Sequence, residues 1–264
     1  MTYHDREKAY RAADGLNQSA LKPLRKSPMH ARHEADNPRT QTASMALGTL
    51  TERLLFVPDD LRVVEANKAT TAGKAIVAEA SARGDLVVTP ADWASAPHMA
   101  ASIRASKKAQ ELLSGCEFCQ PCYWQVGDQK RKALFDAVNT TEHRIVDIKT
   151  TSDELTTAGL ARAVTKWGYD IQAAWYSQGY AAVHGVVPEF WFLFVESLAP
   201  HAVVAVQLDA DWLAHATDEM ETMAAVWQQC ADAGVWPGPA EMMADAGKLT
   251  LSRPTWAPTY TVGE

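Results

Sequence analysis

Two aspartates and a lysine stand out in the sequence because they interrupt apolar segments, where an unpaired charge is costly. Asp136 interrupts LFDAV, and Asp147 and Lys149 interrupt IVDIKT, with the polar turn NTTEH between the two segments. Successive side chains of a strand point to opposite faces, so Asp147 and Lys149 share one face while Val146 and Ile148 point into the core. The two segments predict a hairpin that presents two acids and a lysine together.

The turn determines which residues of this hairpin face each other. If Asn139 pairs with Arg144, Asp136 lies directly opposite Asp147, with Cβ atoms about 5 Å apart. Two carboxylates this close repel each other unless a cation lies between them. Hard oxygen ligands beside a lysine are typical of a Mg²⁺ (or Mn²⁺) site that acts on phosphate. The alternative is a surface hairpin whose acids and lysine form exposed cross-strand pairs.

Hydrophobic periodicity and turn residues predict the elements around this hairpin. The stretch to about residue 40 is polar and contains a short helix, NQSALKPLRK, with Asn17 or Ser19 as its N-cap. The hairpin strands and the preceding CYWQV form an antiparallel meander, and EFWFLFVES is a buried central strand. The remaining predicted elements are a strand in HAVVAVQLD and helices over 42–56, from Thr70 or Thr71 to about Ala82, from Thr89-Pro90 to Leu113, at about 153–165, at about 169–184 and from Asp209 to about Ala233.

This order of elements predicts one α/β domain over residues 1–264. Its fold class is a mixed central β-sheet flanked by helices, with a helical N-terminal part. The mainly helical part covers about 1–114, the core that carries the hairpin about 115–208, and a C-terminal helix and tail about 209–264.

Composition and charge exclude several classes of protein. With 47% hydrophobic and 22% charged residues, the 264-residue chain is neither disordered nor collagen-like. Its apolar runs fall short of the roughly 20 residues of a membrane helix, and its first ten residues are too charged for a secretory signal, so a cytoplasmic location is expected.

The net charge of −7 is distributed unevenly, because the N-terminal half of the chain is positive and the C-terminal half is negative. Residues 1–150 contain 21 Lys and Arg against 18 Asp and Glu, a net +3, whereas residues 151–264 contain 4 against 14, a net −10. A chain with this asymmetry can present a basic face to a nucleic acid while remaining acidic overall. The alternative is simply a well-solvated acidic C-terminal half.

Three motifs together resemble the PD-(D/E)xK nuclease superfamily: the aspartate at 136, D-I-K at 147–149 and Q-x-x-x-Y at 172–176. The RecB-like branch of that superfamily follows its catalytic hairpin with a helix carrying Q-x-x-x-Y. The resemblance is narrower to the phage-type recombination exonucleases such as exodeoxyribonuclease VIII. It covers most of the chain, from LNQSALKPLRKSPMHARH through ALGTLTERLLF and TTAGKAI to FLFVES-LAP.

The resemblance implies Mg²⁺-dependent hydrolysis of linear double-stranded DNA in the 5′→3′ direction, which leaves single strands for recombination. Those enzymes have a G-x-x-x-H motif on an N-terminal helix, and here GTLTE places Glu52 at the histidine position. The implied metal ligands are Glu52, Asp136, Asp147 and the backbone carbonyl of Ile148. The implied catalytic residues are Asp136, Asp147, Lys149, Gln172 and Tyr176.

These residues have different implied roles. Lys149 would position or deprotonate the attacking water and offset charge on the phosphate. Gln172 and Tyr176 would hold the DNA backbone or brace the site. The related enzymes also tend to have an acid just before the first strand, and here either Glu117 or Gln120 would take that place.

Basic residues of the N-terminal part are candidates for DNA contact. Lys68 and Lys74 could meet a terminal 5′-phosphate at a helix N-terminus, although no Ser or Thr follows Lys74 as a Walker A loop requires. Solvated helix surface is the alternative for each of them. The resemblance further implies DNA ends, a single-strand annealing protein and a homo-oligomeric ring of three or four subunits as partners. The other candidates are Lys22, Arg25, Lys26, Arg32 and Arg39.

The cysteines raise a rival hypothesis. Cys116, Cys119 and Cys122, with distant Cys230, could ligate an iron–sulfur cluster, as in some RecB-like nucleases. Strand alternation would send Cys119 to the face opposite Cys116 and Cys122, so buried free thiols are favoured. Two other functions stay open: a module of the same fold that binds DNA ends without cutting, and an interaction protein whose acidic C-terminal half binds a partner.

Overall fold

The N-terminal part of the chain is helical and carries one small sheet. The structure, a computed structural model, describes residues 1–37, 41–67, 69–243, 248 and 250–255. Two short strands of this part pair in parallel. Its elements are α1 (Tyr3–Ala12), α2 (Gln18–Leu21), a 3-10 turn (Lys22–Arg25), α3 (Pro28–Asp36), α4 (Ala43–Phe56), β1 (Val63–Glu65), α5 (Thr71–Arg83), β2 (Leu86–Val88), α6 (Pro90–Ala105) and α7 (Lys107–Leu113).

Several features of this part differ from the sequence prediction. The prediction omits α1, α3 and the pair β1–β2, because those segments are too short or too polar to show a clear period. The single helix predicted from Thr89 to Leu113 is two helices. Ser106 has an extended backbone, with ψ 117°, and its hydroxyl accepts the N–H of Ala109 to cap α7.

A five-stranded mixed sheet forms the centre of the molecule, as predicted. Its strand order follows the chain, with one parallel pair between the third and fourth strands and antiparallel pairs elsewhere. Two helices connect that parallel pair. The elements are β3 (Glu117–Val126), β4 (Gln129–Asn139), β5 (Arg144–Thr151), α8 (Thr157–Trp167), α9 (Tyr169–His184), β6 (Glu189–Glu196), β7 (Val203–Val206) and α10 (Ala210–Ala233).

The unbroken apolar run of β6 explains its position between β5 and β7. Phe192 and Phe194 point to the face covered by α9 and α10, and Leu193 and Val195 point to the face covered by α6 and α7. All four side chains are fully buried. Burial of this kind on both faces is what a strand without polar alternation requires, and it anchors β5, the strand of Asp147 and Lys149.

Two boundaries matter for the site. Helix α8 begins at Thr157, four residues later than predicted, because Thr156 caps it by accepting the N–H of Gly159 at 3.1 Å. Helix α9 begins at Tyr169 directly after Gly168, whose φ of +62° allows the sharp turn between the two helices. Within the described part of the chain, no helix is long and apolar enough to cross a membrane.

Candidate active site

The hairpin of β4 and β5 has the predicted register. Asn139 pairs with Arg144, and two further pairs follow in the same register. The ladder of backbone pairs ends just before Asp136, whose Oδ2 instead accepts the backbone N–H of Ile148 at 2.9 Å. Asp136 therefore lies beside the D-I-K segment of β5, where its carboxylate contacts the backbone of Ile148, and its direct pairing with Asp147 stays a prediction.

The alternation of β4 breaks at Asp136. On the other side of β4, the pairing with β3 skips Cys119 and Asp136, and Cys119 has a left-handed backbone with φ of +52°. Phe135 and Val138 pack in the same core cluster, although strict alternation would send them to opposite faces. Left-handed backbone is uncommon for a residue other than glycine and is concentrated at functional sites. Strand β4 is therefore irregular at Asp136, although it continues on both sides of this residue.

Asp147 is the most enclosed charged group of the site, with 1% of its surface exposed. Its Oδ1 accepts a hydrogen bond from Gln172 Nε2 at 2.5 Å, and its Oδ2 forms an ion pair with the Lys149 ammonium. Such a buried carboxylate is tolerated because both oxygens face positive or polar partners. The predicted common face of Asp147 and Lys149 is confirmed by this pair.

Gln172 and Tyr176 reach the site from α9, one helical turn apart. The Tyr176 ring packs edge-on against Phe135 and Phe190, with centroids at 5.3 and 6.2 Å. Burial, and then repulsion by Asp147, raises the pKa of Tyr176 well above its ordinary value, so the phenol stays neutral. Both side chains are buried and Gln172 bonds Asp147, which supports bracing of the site rather than contact with a DNA backbone.

Glu52 enters the site from α4, which packs across β5. Thr42 caps this helix by accepting the N–H of Met45, and the helix packs at Gly48 near the Thr150 side chain. The Glu52 Oε1 accepts a hydrogen bond from the Tyr3 hydroxyl at 3.0 Å. Tyr3, on α1, is a site residue that the sequence reasoning missed, because its segment shows neither a motif nor a clear period.

Burial and neighbouring acids raise the pKa of two carboxylates of the site, Glu52 and Asp136. Burial, followed by repulsion from Asp147 and Glu7, raises the pKa of Glu52 to about 7. Burial, followed by repulsion from Glu52 and Asp147, raises the pKa of Asp136 well above its ordinary value. Burial lowers the pKa of Lys149, but Asp147 and Asp136 outweigh this effect and raise it. Lys149 is therefore a stable cation among crowded acids.

This donor set fits a hard divalent cation. Among the described residues, no three His, Cys, Asp or Glu side chains converge closely enough to hold a metal ion as they are arranged here. Asp136 and Glu52, however, each use only one carboxylate oxygen in the hydrogen bonds described above. Carboxylate oxygens that repel each other are the ligands that Mg²⁺ and Mn²⁺ prefer. Glu52, Asp136 and Asp147 are the residues that would hold the cation.

The basic candidates fall into different environments. Lys22 lies half-buried near Lys149, whereas the Arg25 guanidinium is engaged by Glu219 through bonds of 2.8 and 2.9 Å. Arg32 pairs with Asp36 on the surface. Lys26 and Lys74 are exposed, and Lys68 and Arg39 lie outside the described residues.

The four cysteines all lie in the described part of the chain and are free thiols. The expectation that Cys116 and Cys122 share a face is wrong: Cys122 packs in the cluster under α9, whereas Cys116 packs in the cluster under α6 and α7. Cys119 donates to the carbonyl of Tyr3 at 3.6 Å. The left-handed Cys119 breaks the alternation on which that expectation was based. Glu117 and Gln120 line a cleft of about 400 Å³ formed mainly by β3, β4 and the end of α9.

The comparisons with known proteins agree with this geometry. Residues 17–246 match the family described as PDDEXK-like domain of unknown function (DUF3799). The crystal structure of a putative exonuclease from Eubacterium rectale is similar, with a TM-score of 0.65 and 14% identity over 96% of this chain and 94% of that chain. None of the curated proteins compared with the chain matches it.

A more distant likeness is to a phage-related exonuclease from Haemophilus somnus, with a TM-score of 0.39 and 14% identity over 84% of this chain and 96% of that one, too low to carry an argument. The family match covers most of the chain and confirms the resemblance found in the sequence. The chain belongs to the PDDEXK-like family DUF3799 and has the PD-(D/E)xK nuclease fold.

Proposed function

We propose that this protein is a Mg²⁺-dependent exonuclease that hydrolyses phosphodiester bonds of linear double-stranded DNA. The observation that carries the proposal is the arrangement of Asp136, Asp147 and Lys149 on adjacent strands, with Glu52 facing them from α4. The PDDEXK-like family to which the chain belongs has a nuclease fold, so the chemistry expected of these residues is phosphodiester hydrolysis. A bound Mg²⁺ or Mn²⁺ would polarise the phosphate and stabilise the leaving oxygen.

The side chains of the site have different proposed roles in the reaction. The neighbouring acids keep Lys149 protonated, so its ammonium is suited to orienting the attacking water and offsetting charge on the phosphate. This favours the first of the two roles implied by the resemblance, positioning over deprotonation. Gln172 holds Oδ1 of Asp147 and thereby fixes the direction of Oδ2.

The preference for DNA ends rests on the sequence resemblance and on the name of the similar Eubacterium rectale protein, a putative exonuclease. The same resemblance supports 5′→3′ digestion, a single-strand annealing protein as partner and a ring of three or four subunits. The direction of digestion, the partner protein and the ring are part of the proposal, but the proposed hydrolysis at the site does not depend on them.

One experiment tests the proposal and separates it from its rivals. Linear duplex DNA and covalently closed circular DNA are each incubated with the protein in Mg²⁺ and in EDTA. We expect nucleotides to be released from the linear DNA alone, and only in Mg²⁺. Cleavage of the circle would indicate an endonuclease, and binding of linear DNA without release would indicate an end-binding module. Neither binding nor release would support the interaction protein.

A further inference from the structure

The Lys22 ammonium lies against an aromatic ring that it shares with Lys149. Its Nζ is 5.5 Å from the centroid of the Tyr169 ring, and Lys149 Nζ is 4.7 Å from the same centroid. The aliphatic part of Lys22 packs on Gly168, where its Cδ and Cε would lie 3.5 Å from an added Cβ. The close approach of the Gly168 backbone thus holds this lysine at the edge of the carboxylate site.

The half-buried Lys22 ammonium makes no hydrogen bond or ion pair with any described residue, although acids are near. Asp170 is already occupied: its Oδ1 accepts the N–H of Ile171 at 2.8 Å, and its Oδ2 accepts Trp212 Nε1 at 3.4 Å. Asp147, the other acid that acts on Lys22, is paired with Lys149, and Arg25 approaches Asp170 at 3.5 Å. A half-buried lysine without an anionic partner loses part of its hydration with no contact to compensate, a cost that an anionic ligand would offset.

The two ammonium groups repel each other in the absence of such an anion. Burial, followed by repulsion from Lys149, lowers the pKa of Lys22 to about 8. The lysine is still mainly protonated at neutral pH, and an anion bound near both ammonium groups would offset their repulsion. A phosphate group carries the required charge and several acceptor oxygens.

We propose that Lys22, Tyr169 and Lys149 form a subsite for a backbone phosphate of the DNA, beside the carboxylates that would hold the metal. This inference rests on the proposed function and sharpens it, because it assigns Lys22 to the reacting end of the substrate rather than to a basic DNA-tracking segment. The ligand is either the phosphodiester at the cleavage point or a terminal 5′-phosphate. Both present the same chemistry to the two ammonium groups.

The test compares the wild type with Lys22→Met and Lys22→Arg. Lys166→Met is the matched control, because Lys166 also lies over an aromatic ring, that of Trp167 at 4.7 Å, but at an exposed position. Binding of fluorescent linear duplexes with a 5′-phosphate or a 5′-hydroxyl is measured in Ca²⁺ at several salt concentrations. Nucleotide release from the same duplexes is measured in Mg²⁺.

We expect Lys22→Met to reduce the slope of log affinity against log salt by about one, as the loss of one phosphate contact predicts. We expect its kcat/KM to fall by roughly 10- to 100-fold, with Lys22→Arg close to the wild type and Lys166→Met unchanged. A loss confined to the 5′-phosphate duplex identifies the terminal phosphate, and an equal loss on both duplexes identifies the phosphodiester.

The subsite and the nuclease proposal fail in different ways. If Lys22→Met keeps the salt slope and the release rate of the wild type, the subsite is overturned and the nuclease stands. If the wild type releases no nucleotides but Lys22→Met still lowers the salt slope, the subsite stands and the nuclease fails. If Lys22→Arg is as defective as Lys22→Met, Lys22 has a packing role and the subsite is overturned.

Discussion

At the scale of single residues, the site is a crowded set of acids balanced by one lysine. Asp147 is held at both oxygens, by Gln172 and by Lys149, whereas Glu52 is held at one oxygen by Tyr3. A set of this kind stores electrostatic repulsion that a divalent cation relieves on binding. Burial, followed by repulsion between the acids, raises the pKa values of Glu52 and Asp136.

Glu52 should make metal binding depend on pH. Its pKa is about 7 in the folded protein, against an ordinary value of 4.5, so between these values the folded chain keeps a proton that the unfolded chain has lost. The metal-free fold therefore loses stability from this group as the pH rises from about 4.5 to 7, and regains it as the pH falls. A bound cation requires the charged carboxylate, so the rise in midpoint temperature caused by Mg²⁺ should be larger at pH 8 than at pH 6.

Thermal unfolding with and without Mg²⁺ at the two pH values measures this difference. In Glu52→Gln the difference should shrink, while Asp136, whose pKa is also raised, maintains part of it. Glu79→Gln, an exposed acid on α5, is the control and should behave as the wild type. A Glu52→Gln variant with the full pH dependence would contradict the role of Glu52 as a ligand.

Part of this site could be predicted from the sequence. The pairing of Asn139 with Arg144 followed from the turn, and the shared face of Asp147 and Lys149 followed from strand alternation. The left-handed Cys119 was beyond prediction, because strain at one residue leaves no trace in a hydrophobic pattern. The contact of Tyr3 with Glu52 was equally hidden, since it joins segments 49 residues apart.

At the scale of elements, α9 has the central role. It carries Gln172 and Tyr176 to the site and fills the core beneath the sheet with Trp175 and Tyr180, both fully buried. Its position depends on close packing against β3, where Gly179 meets the Trp124 ring. A small shift of this helix would therefore move the hydrogen bond that holds Asp147.

Gly179→Ala should destabilise the fold. An added Cβ would lie 2.6 to 2.9 Å from three atoms of the Trp124 ring, which is fixed edge-on against Trp175 and bonded to Gln178 at 3.3 Å. We expect overpacking to cost about 1–3 kcal/mol of unfolding free energy, more than the gain in helix propensity.

Denaturant unfolding measures the effect, with Gly48→Ala as the matched control on α4. Its nearest neighbour would be Thr150 Oγ1 at an ordinary 3.5 Å, so this change should be neutral or stabilising by up to about 1 kcal/mol. If both alanine variants unfolded at the same denaturant concentration, close packing of α9 on Trp124 would not be a constraint.

The elements themselves were predictable to different degrees. Long amphipathic helices such as α4 and α10, and the apolar strand β6, carry strong patterns and were predicted with their approximate bounds. The break at Ser106 was missed because the apolar residues on both sides continue a helical pattern. The pair β1–β2 was missed because two three-residue strands, separated by a helix, offer too few positions for a period.

At the scale of the whole molecule, the uneven charge has a partly structural explanation. Glu219 and Glu221 on α10 pair with Arg25 and Arg131 of the N-terminal half. Arg131 is almost completely buried and Glu221 is 40% exposed, and their pair joins α10 to the sheet. Some acids of the C-terminal half therefore stabilise the fold, and the orientation of the remaining acids away from DNA stays a prediction.

The most direct test of the central claim is the rate of Mg²⁺-dependent nucleotide release from linear duplex DNA by Asp147→Asn. This change keeps the shape of the side chain and removes the charge that pairs with Lys149 and would hold the metal. We expect a rate at least about 10²-fold below that of the wild type. Asp128→Asn, an equal change at an exposed turn, should keep the wild-type rate. A folded Asp147→Asn variant that releases nucleotides at the wild-type rate would contradict the account.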